Sequence, residues 1–200
     1  LDLMFAIPGQ SAADWEYSLS QAIAHNPDHI SAYNLTIEPG TAFYKLQGAG
    51  RLKMPIDDFQ LKLYKQTSKT LQAAGYRQYE ISNYAKPGRE CRHNLNYWEN
   101  GDYLGLGAGA SSYINGVRFK NICSPSRYIK EAARRGTAVE FEERPTQDAS
   151  MVETMMLGLR LLKGIELQRF KKRFRVSLEE AYGPIVSSLQ EQKLISMKNH

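Results

Sequence analysis

Cysteine is scarce: Cys91 and Cys123 are the only two in 200 residues. That excludes a disulfide scaffold, and their spacing fits neither a zinc nor an iron–sulfur pattern. Long apolar runs are missing too. A membrane-spanning helix needs ~20 consecutive apolar residues, and no stretch approaches that length. No basic segment leads into an apolar one, so no signal peptide is expected. A strong charge of one sign is also lacking. Lys and Arg number 26 against 21 Asp and Glu, a net charge of +5, with most of the excess in residues 124–200. Such an excess reads as solvated surface, and no nucleic-acid partner is expected. Together these absences point to a reducing, cytoplasmic setting.

What remains is the composition of a soluble globular chain, 42% hydrophobic and 24% charged. A chain this long buries roughly 70% of its unfolded surface. It opens on Leu1-Asp2-Leu3-Met4-Phe5-Ala6-Ile7, a buried-strand signal, and residues 194–200 read as a strand running into a turn. A sequence that starts inside one strand and stops after another reads as a fragment.

The first 85 residues alternate strand and helix. Residues 1–7 form the first strand, which Pro8-Gly9-Gln10 ends. Ser11 and Asp14 predict a capping box for a helix presenting Trp15, Leu19, Ala22 and Ile23, which stops at Asn26-Pro27. Residues 29–37 alternate as a second strand. Thr41 caps a short helix to about Gln47. Asp57 opens a longer one with Phe59, Leu63, Thr67 and Leu71 at spacing four, closed by Gly75. Residues 76–82 form the third strand. This order implies parallel β/α units, and a barrel and an open sheet fit it equally.

Residues 83–111 read as a long loop, functional rather than disordered given Tyr84, Tyr97, Trp98 and Tyr103. Asn115-Gly116 between two apolar stretches predicts a hairpin. Ser124-Pro125 starts a helix to about Arg135. Thr146 caps another over 147–161, and helices near 166–172 and 177–191 follow. Helix, turn, helix, strand reads as a small winged-helix-like domain. The organisation is therefore 1–123, 124–145 (a connecting helix and strand) and 146–200.

Several segments could carry chemistry. Gln10 and Glu38 follow strand ends, where β/α folds bind ligands; a plain tight turn is the alternative for Gln10, and turn chemistry with an N-cap for Glu38. His93-Asn94-Leu95-Asn96-Tyr97-Trp98 could offer an imidazole to a haem iron under an aromatic cover, with Arg89 and Arg92 for the propionates. The alternative is a loop pinned by its aromatics. Gly105, Gly107 and Gly109 fail the phosphate-loop and dinucleotide spacings and point to close backbone approach. Cys91 near His93 lacks a third partner for nucleophilic catalysis. Arg169, Lys171, Lys172, Arg173 and Arg175 form a basic face.

Residues 2–10, 31–41, 79–88, 93–98 and 103–110 occur in one order in a known family. On these motifs the chain resembles, over essentially its whole length, the oxygen-independent coproporphyrinogen III oxidase family of radical SAM proteins, and most of all its HemW, haem-chaperone, branch. The resemblance implies an α/β fold: the later strands of a radical SAM (β/α) partial TIM barrel, followed by the winged-helix-like helical domain. It implies S-adenosylmethionine, contacted by Gln10 and by the Ala85 backbone in the loop after the third strand. It implies haem, with His93 as iron ligand and Tyr97 and Trp98 beside it. It also implies a [4Fe–4S] cluster, whose Cys-x-x-x-Cys-x-x-Cys loop would lie upstream of Leu1. Without that loop the chain alone should not cleave S-adenosylmethionine. The implied function is haem handling for an acceptor protein. The alternative is oxidative decarboxylation of coproporphyrinogen III, an oxidoreductase activity. Homodimerisation is a further expectation. Ala6-Ile7 replaces the family's usual Gly-Leu, and Ser111-Ser112 replaces a His-Gly common in the branch.

Overall fold

The computed structural model describes residues 1–198 and divides into two compact units, which meet in sequence at Leu95/Asn96. The strand expected over 194–200 does not form across 194–198, which carry no regular element; Asn199 and His200 lie outside the described residues.

In the first unit, β1 (Asp2–Phe5) leads through α1 (Ala12–Ala24) to β2 (His29–Asn34). α2 (Ala42–Gly48) and α3 (Asp57–Ala73) follow, then β3 (Arg77–Gln78) and β4 (Asn83–Ala85). The local signals behave as chemistry requires. Ser11 and Asp14 close both bonds of the capping box on α1. Asn26 takes a left-handed φ of 50° just before Pro27, stopping that helix. Thr41 caps α2, and Gly75 turns at φ 87° after α3.

α1 and α3 bury one face of the sheet. Trp15, Leu19, Leu63 and Leu71 pack against Phe5, Ile30, Ala32 and Tyr84. The Trp15 indole N–H donates to the Thr67 hydroxyl at 2.8 Å, and that hydroxyl donates to the Leu63 carbonyl. Period-two alternation therefore turns Asp2, Met4, Ser31, Tyr33 and Asn83 to the opposite, polar face.

The strand order is β1-β2-β4-β3. β1 and β2 are parallel, but β4 runs antiparallel to both β2 and β3. The expectation of three parallel units holds for two strands only. Residues 76–82 are not one strand: the chain reverses after Gln78, and the Tyr79 N–H donates to the Asn83 carbonyl at 3.2 Å. The reversal buries Glu80 completely, with its carboxylate taking a hydrogen bond from the Asn83 amide.

After β4 in sequence comes α4 (Arg92–Trp98). This two-turn helix lies where a loop was expected; seven residues are too short to display a helical period. The second unit continues with β5 (Ser111–Ile114), β6 (Val117–Asn121), α5 (Pro125–Arg135) and β7 (Val139–Glu143). Its helical end is α6 (Gln147–Gly158), α7 (Leu167–Phe174) and α8 (Leu178–Glu191). Asn115 and Gly116 both take positive φ, 50° and 75°, closing the two-residue hairpin between β5 and β6. Gly105 is there for space: a Cβ would stand 2.2 Å from the Ser111 carbonyl.

The helical core is small: Met151, Phe170, Phe174 and Leu178. Leu159 and Leu162, just past α6, are exposed at 55% and 60%. Ionic ties supplement this core. Arg118 bonds Glu143 at 2.6 Å and Glu153 at 2.7 Å. Glu99 accepts from Lys163 at 2.7 Å and also from Arg169. Arg173 donates to the Asn100 carbonyl at 2.6 Å and the Tyr113 hydroxyl at 3.0 Å.

Candidate functional site

The first candidate lies at the edge where β1 and β2 end. Ala6, fully buried, takes a φ of 57° as the chain leaves β1. A left-handed conformation costs a residue with a Cβ roughly 1–2 kcal/mol, which explains why glycine is the residue the resemblance leads one to expect there. Pro8 and Gly9 then turn the chain, with the Gln10 N–H donating to the Ile7 carbonyl at 2.9 Å. The turn holds the Gln10 side chain with its Oε1 buried and without a hydrogen-bond partner.

The same edge receives the β3–β4 turn. Asn83 pairs with Ser31, and the Ser82 carbonyl accepts from the Ala32 N–H at 2.8 Å. Because β4 runs antiparallel to β2, residues 79–82 lie on the side toward Asn34. Glu80 Oε2 and Asn83 Oδ1 are, like Gln10 Oε1, buried and unpartnered. Three orphaned acceptors thus sit at one end of one sheet. Ala85 is elsewhere. It lies inside β4, not in a loop, opposite His29 at the start of β2. Five residues of strand, ~17 Å, separate that point from Asn34, so the structure does not bring Ala85 to the edge that carries Gln10. Glu38 is exposed, and its carbonyl accepts from the Thr41 hydroxyl at 2.7 Å, the turn chemistry considered for it.

Beside α4, His29 shares a 2.8 Å hydrogen bond with the Tyr79 hydroxyl. Burial lowers the His29 pKa. Burial pushes Tyr79 up to about 12, against the pull of hydrogen bonds with the Asn94 side chain and the Cys91 backbone. At neutral pH the pair is an uncharged histidine and a phenol.

The second candidate is α4 itself. It carries His93, Tyr97 and Trp98, and His93 is exposed. Residues four apart share a helix face, so His93 and Tyr97 project together; Trp98, five on, does not. Tyr97 meets the Tyr103 ring edge-on, 4.6 Å between centroids. Trp98 instead lies under the Arg160 guanidinium, 4.6 Å from ring centre to Cζ, with its indole N–H buried and unpartnered. The aromatic cover expected over one porphyrin face is therefore split between two directions. Arg89, expected at a propionate, stands 3.9 Å from Asp28, and Arg92 is exposed.

Sequence reasoning missed Glu80, Asn83 and Arg160. Glu80 looked like part of a strand, and the Arg160–Trp98 contact joins residues 62 positions apart. Of the basic face, Arg169 and Arg173 are engaged within the second unit, as described above. Cys91 and Cys123 are free thiols, and among the described residues no three of His, Cys, Asp and Glu gather as a metal site. No helix among the described residues is long and apolar enough to cross a membrane.

Comparisons with known proteins agree with this architecture. Residues 146–200 match the family described as HemN C-terminal domain. The chain is 38% identical over 195 residues to "Heme chaperone HemW" of Bacillus subtilis, covering 98% of this chain and 52% of that protein. It is 42% identical over 168 residues to "Heme chaperone HemW" of Synechocystis, covering 82% and 40%. Coproporphyrinogen III oxidase (HemN) from Escherichia coli, whose structure describes a radical SAM enzyme, matches with a TM-score of 0.77 over 98% of this chain and 49% of that one. At 17% identity this is a likeness of mixed α/β fold. The chain spans about half the length of the curated relatives it matches.

Proposed function

Since the chain belongs to the coproporphyrinogen III oxidase-like family of radical SAM proteins, within its HemW-type branch, we propose that it takes part in handling haem as a cargo, holding it for transfer to an acceptor protein in the cytoplasm. The observation that best supports this is the exposed imidazole of His93, on the same face of α4 as Tyr97. An imidazole nitrogen is a suitable axial ligand for haem iron.

S-adenosylmethionine fits the edge that carries Gln10. Gln10 Oε1, Glu80 Oε2 and Asn83 Oδ1 are acceptors without donors, and the ligand presents amine, ammonium and hydroxyl donors. When bound it would supply one-electron chemistry. This chain's part is to orient it through those oxygens and to keep water from them. A [4Fe–4S] cluster does not fit the residues present. The three-cysteine loop that the family uses is not among these residues: Cys91 and Cys123 are two thiols that fall in separate units. No step is derived through it.

The test is a haem titration of the full-length protein followed by the Soret band, with His93→Ala beside the wild type. Weaker binding and a shifted band in the variant are expected. Equal affinity and an unchanged band would remove His93 as ligand. No haem binding by the wild type, with turnover of coproporphyrinogen III in its place, would overturn the chaperone reading.

A further inference from the structure

Arg160 differs from the cations around it. Arg118, Lys163, Arg169 and Arg173 each donate to an oxygen within the second unit. Arg160 is half-buried, yet no hydrogen bond or ion pair engages its guanidinium among the described residues. Its one observed contact is the stack on Trp98, and its Nε is buried and unpartnered. The Trp98 Nε1 is orphaned beside it. Buried polar groups are normally satisfied, and here the Arg160 Nε and the Trp98 Nε1 are not, while the terminal nitrogens of Arg160 are not among the buried atoms. Arg160 follows the last turn of α6, where the helix dipole favours a cation. That accounts for its charge, but not for two neighbouring donors left without an acceptor.

Both orphans are donors, so the missing partner is an acceptor. The neighbouring charge is positive, so the partner is an anion. The planar fork of arginine matches the two oxygens of a carboxylate. On its other side Trp98 walls a small pocket with Thr154, Gly158, Leu161 and Phe170, whose charged groups, Glu99, Glu166, Lys163, Arg169 and Arg173, do not include Arg160.

We propose that Arg160 and Trp98 form a carboxylate-binding site in the second unit, and that it receives a propionate side chain of the cargo. The identity of the ligand, though not the site, rests on the haem reading above. Arg160 clamps the carboxylate, the Trp98 N–H adds a third bond, and the indole ring fixes the plane of the guanidinium.

The test uses the full-length protein with haem and haem dimethyl ester, in which both propionates are capped. Soret titrations are made on the wild type, Arg160→Gln and Trp98→Phe. The wild type should bind haem roughly tenfold or more tightly than the ester, as a charged hydrogen-bond pair implies. Arg160→Gln should lose that preference while binding the ester as the wild type does. Trp98→Phe, which keeps a ring under Arg160, should lose part of it. Equal binding of haem and ester by the wild type, or a preference untouched by Arg160→Gln, would overturn the proposal. If the wild type binds no haem, the haem reading fails, and glutarate decides the site. A saturable shift of the Trp98 indole N–H resonance, absent in Arg160→Gln, upholds it; no shift sinks it.

Discussion

The first unit closes around Trp15, Leu19, Ile30, Leu63 and Leu71, all almost fully buried. The second has four buried residues in its helical core and ties its elements with Arg118, Glu99 and Arg173. Their unsatisfied atoms differ in the same spirit. Among the described residues, apart from the Tyr84 hydroxyl, the first unit's orphans are the acceptors of Gln10, Glu80 and Asn83; the second's are the donors of Trp98 and Arg160. One half of the chain is thus a packed scaffold with an acceptor-lined edge. The other is an ionic scaffold with two orphaned donors side by side.

The comparison breaks first at Trp15. Trp15→Ala should destabilise the first unit by about 3–5 kcal/mol, the usual cost of emptying a large aromatic site. Thr67→Val, which leaves the indole N–H unpaired at nearly constant shape, should cost about 1–3 kcal/mol. Chemical denaturation followed by circular dichroism measures both. A loss for Thr67→Val as large as for Trp15→Ala would mean that polar satisfaction, rather than packing, holds this unit.

The second unit should answer to charge. Burial alone would raise the Glu99 carboxyl, but Lys163 and Arg169 outweigh it and hold the group below its ordinary value. A lowered carboxyl contributes stability above the unfolded pKa of about 4.5 and loses it as pH falls through the folded value. Glu99→Gln should therefore cost about 1 kcal/mol at neutral pH and low salt, and flatten the acid limb below pH 4.5. The first unit loses stability earlier on acidification. His29 is held neutral by burial, so the unfolded chain binds its proton first, and stability falls as pH drops below 6.5. His29→Asn should remove that limb. Stability curves against pH at low and high salt separate the two; a salt-insensitive second unit would erase the contrast.

The smallest effect has the opposite sign. Ala6→Gly should relieve the left-handed backbone at φ 57°, stabilising the first unit by up to about 1 kcal/mol. A loss of stability would show that the Ala6 methyl packs more than its backbone strains.

Features encoded within a few residues were legible. The Ser11–Asp14 box, the Thr41 and Thr146 caps, the Asn115-Gly116 turn and the α1 and α3 burial stripes follow from local geometry and period. What escaped depends on distant pairing. Tyr76 to Ser82 has the composition of a strand, yet the competition between a ladder and a buried Glu80–Asn83 bond is settled by β2, some fifty residues earlier. α4 lacked both length and a cap signal. Gln10 was visible as a turn residue at a strand end, but its orphaned oxygen was not. Nor could Trp98 be separated from Tyr97 until the helix turned them apart.

β1 is the outermost strand of its sheet. Its far side carries backbone donors and acceptors with no ladder partner in that sheet, along a four-residue stretch where only Asp2 is charged. Such a border is a template for strand addition. That border is a seam along which another strand can be knitted on, and a charge placed at the exposed Met4 would unpick it.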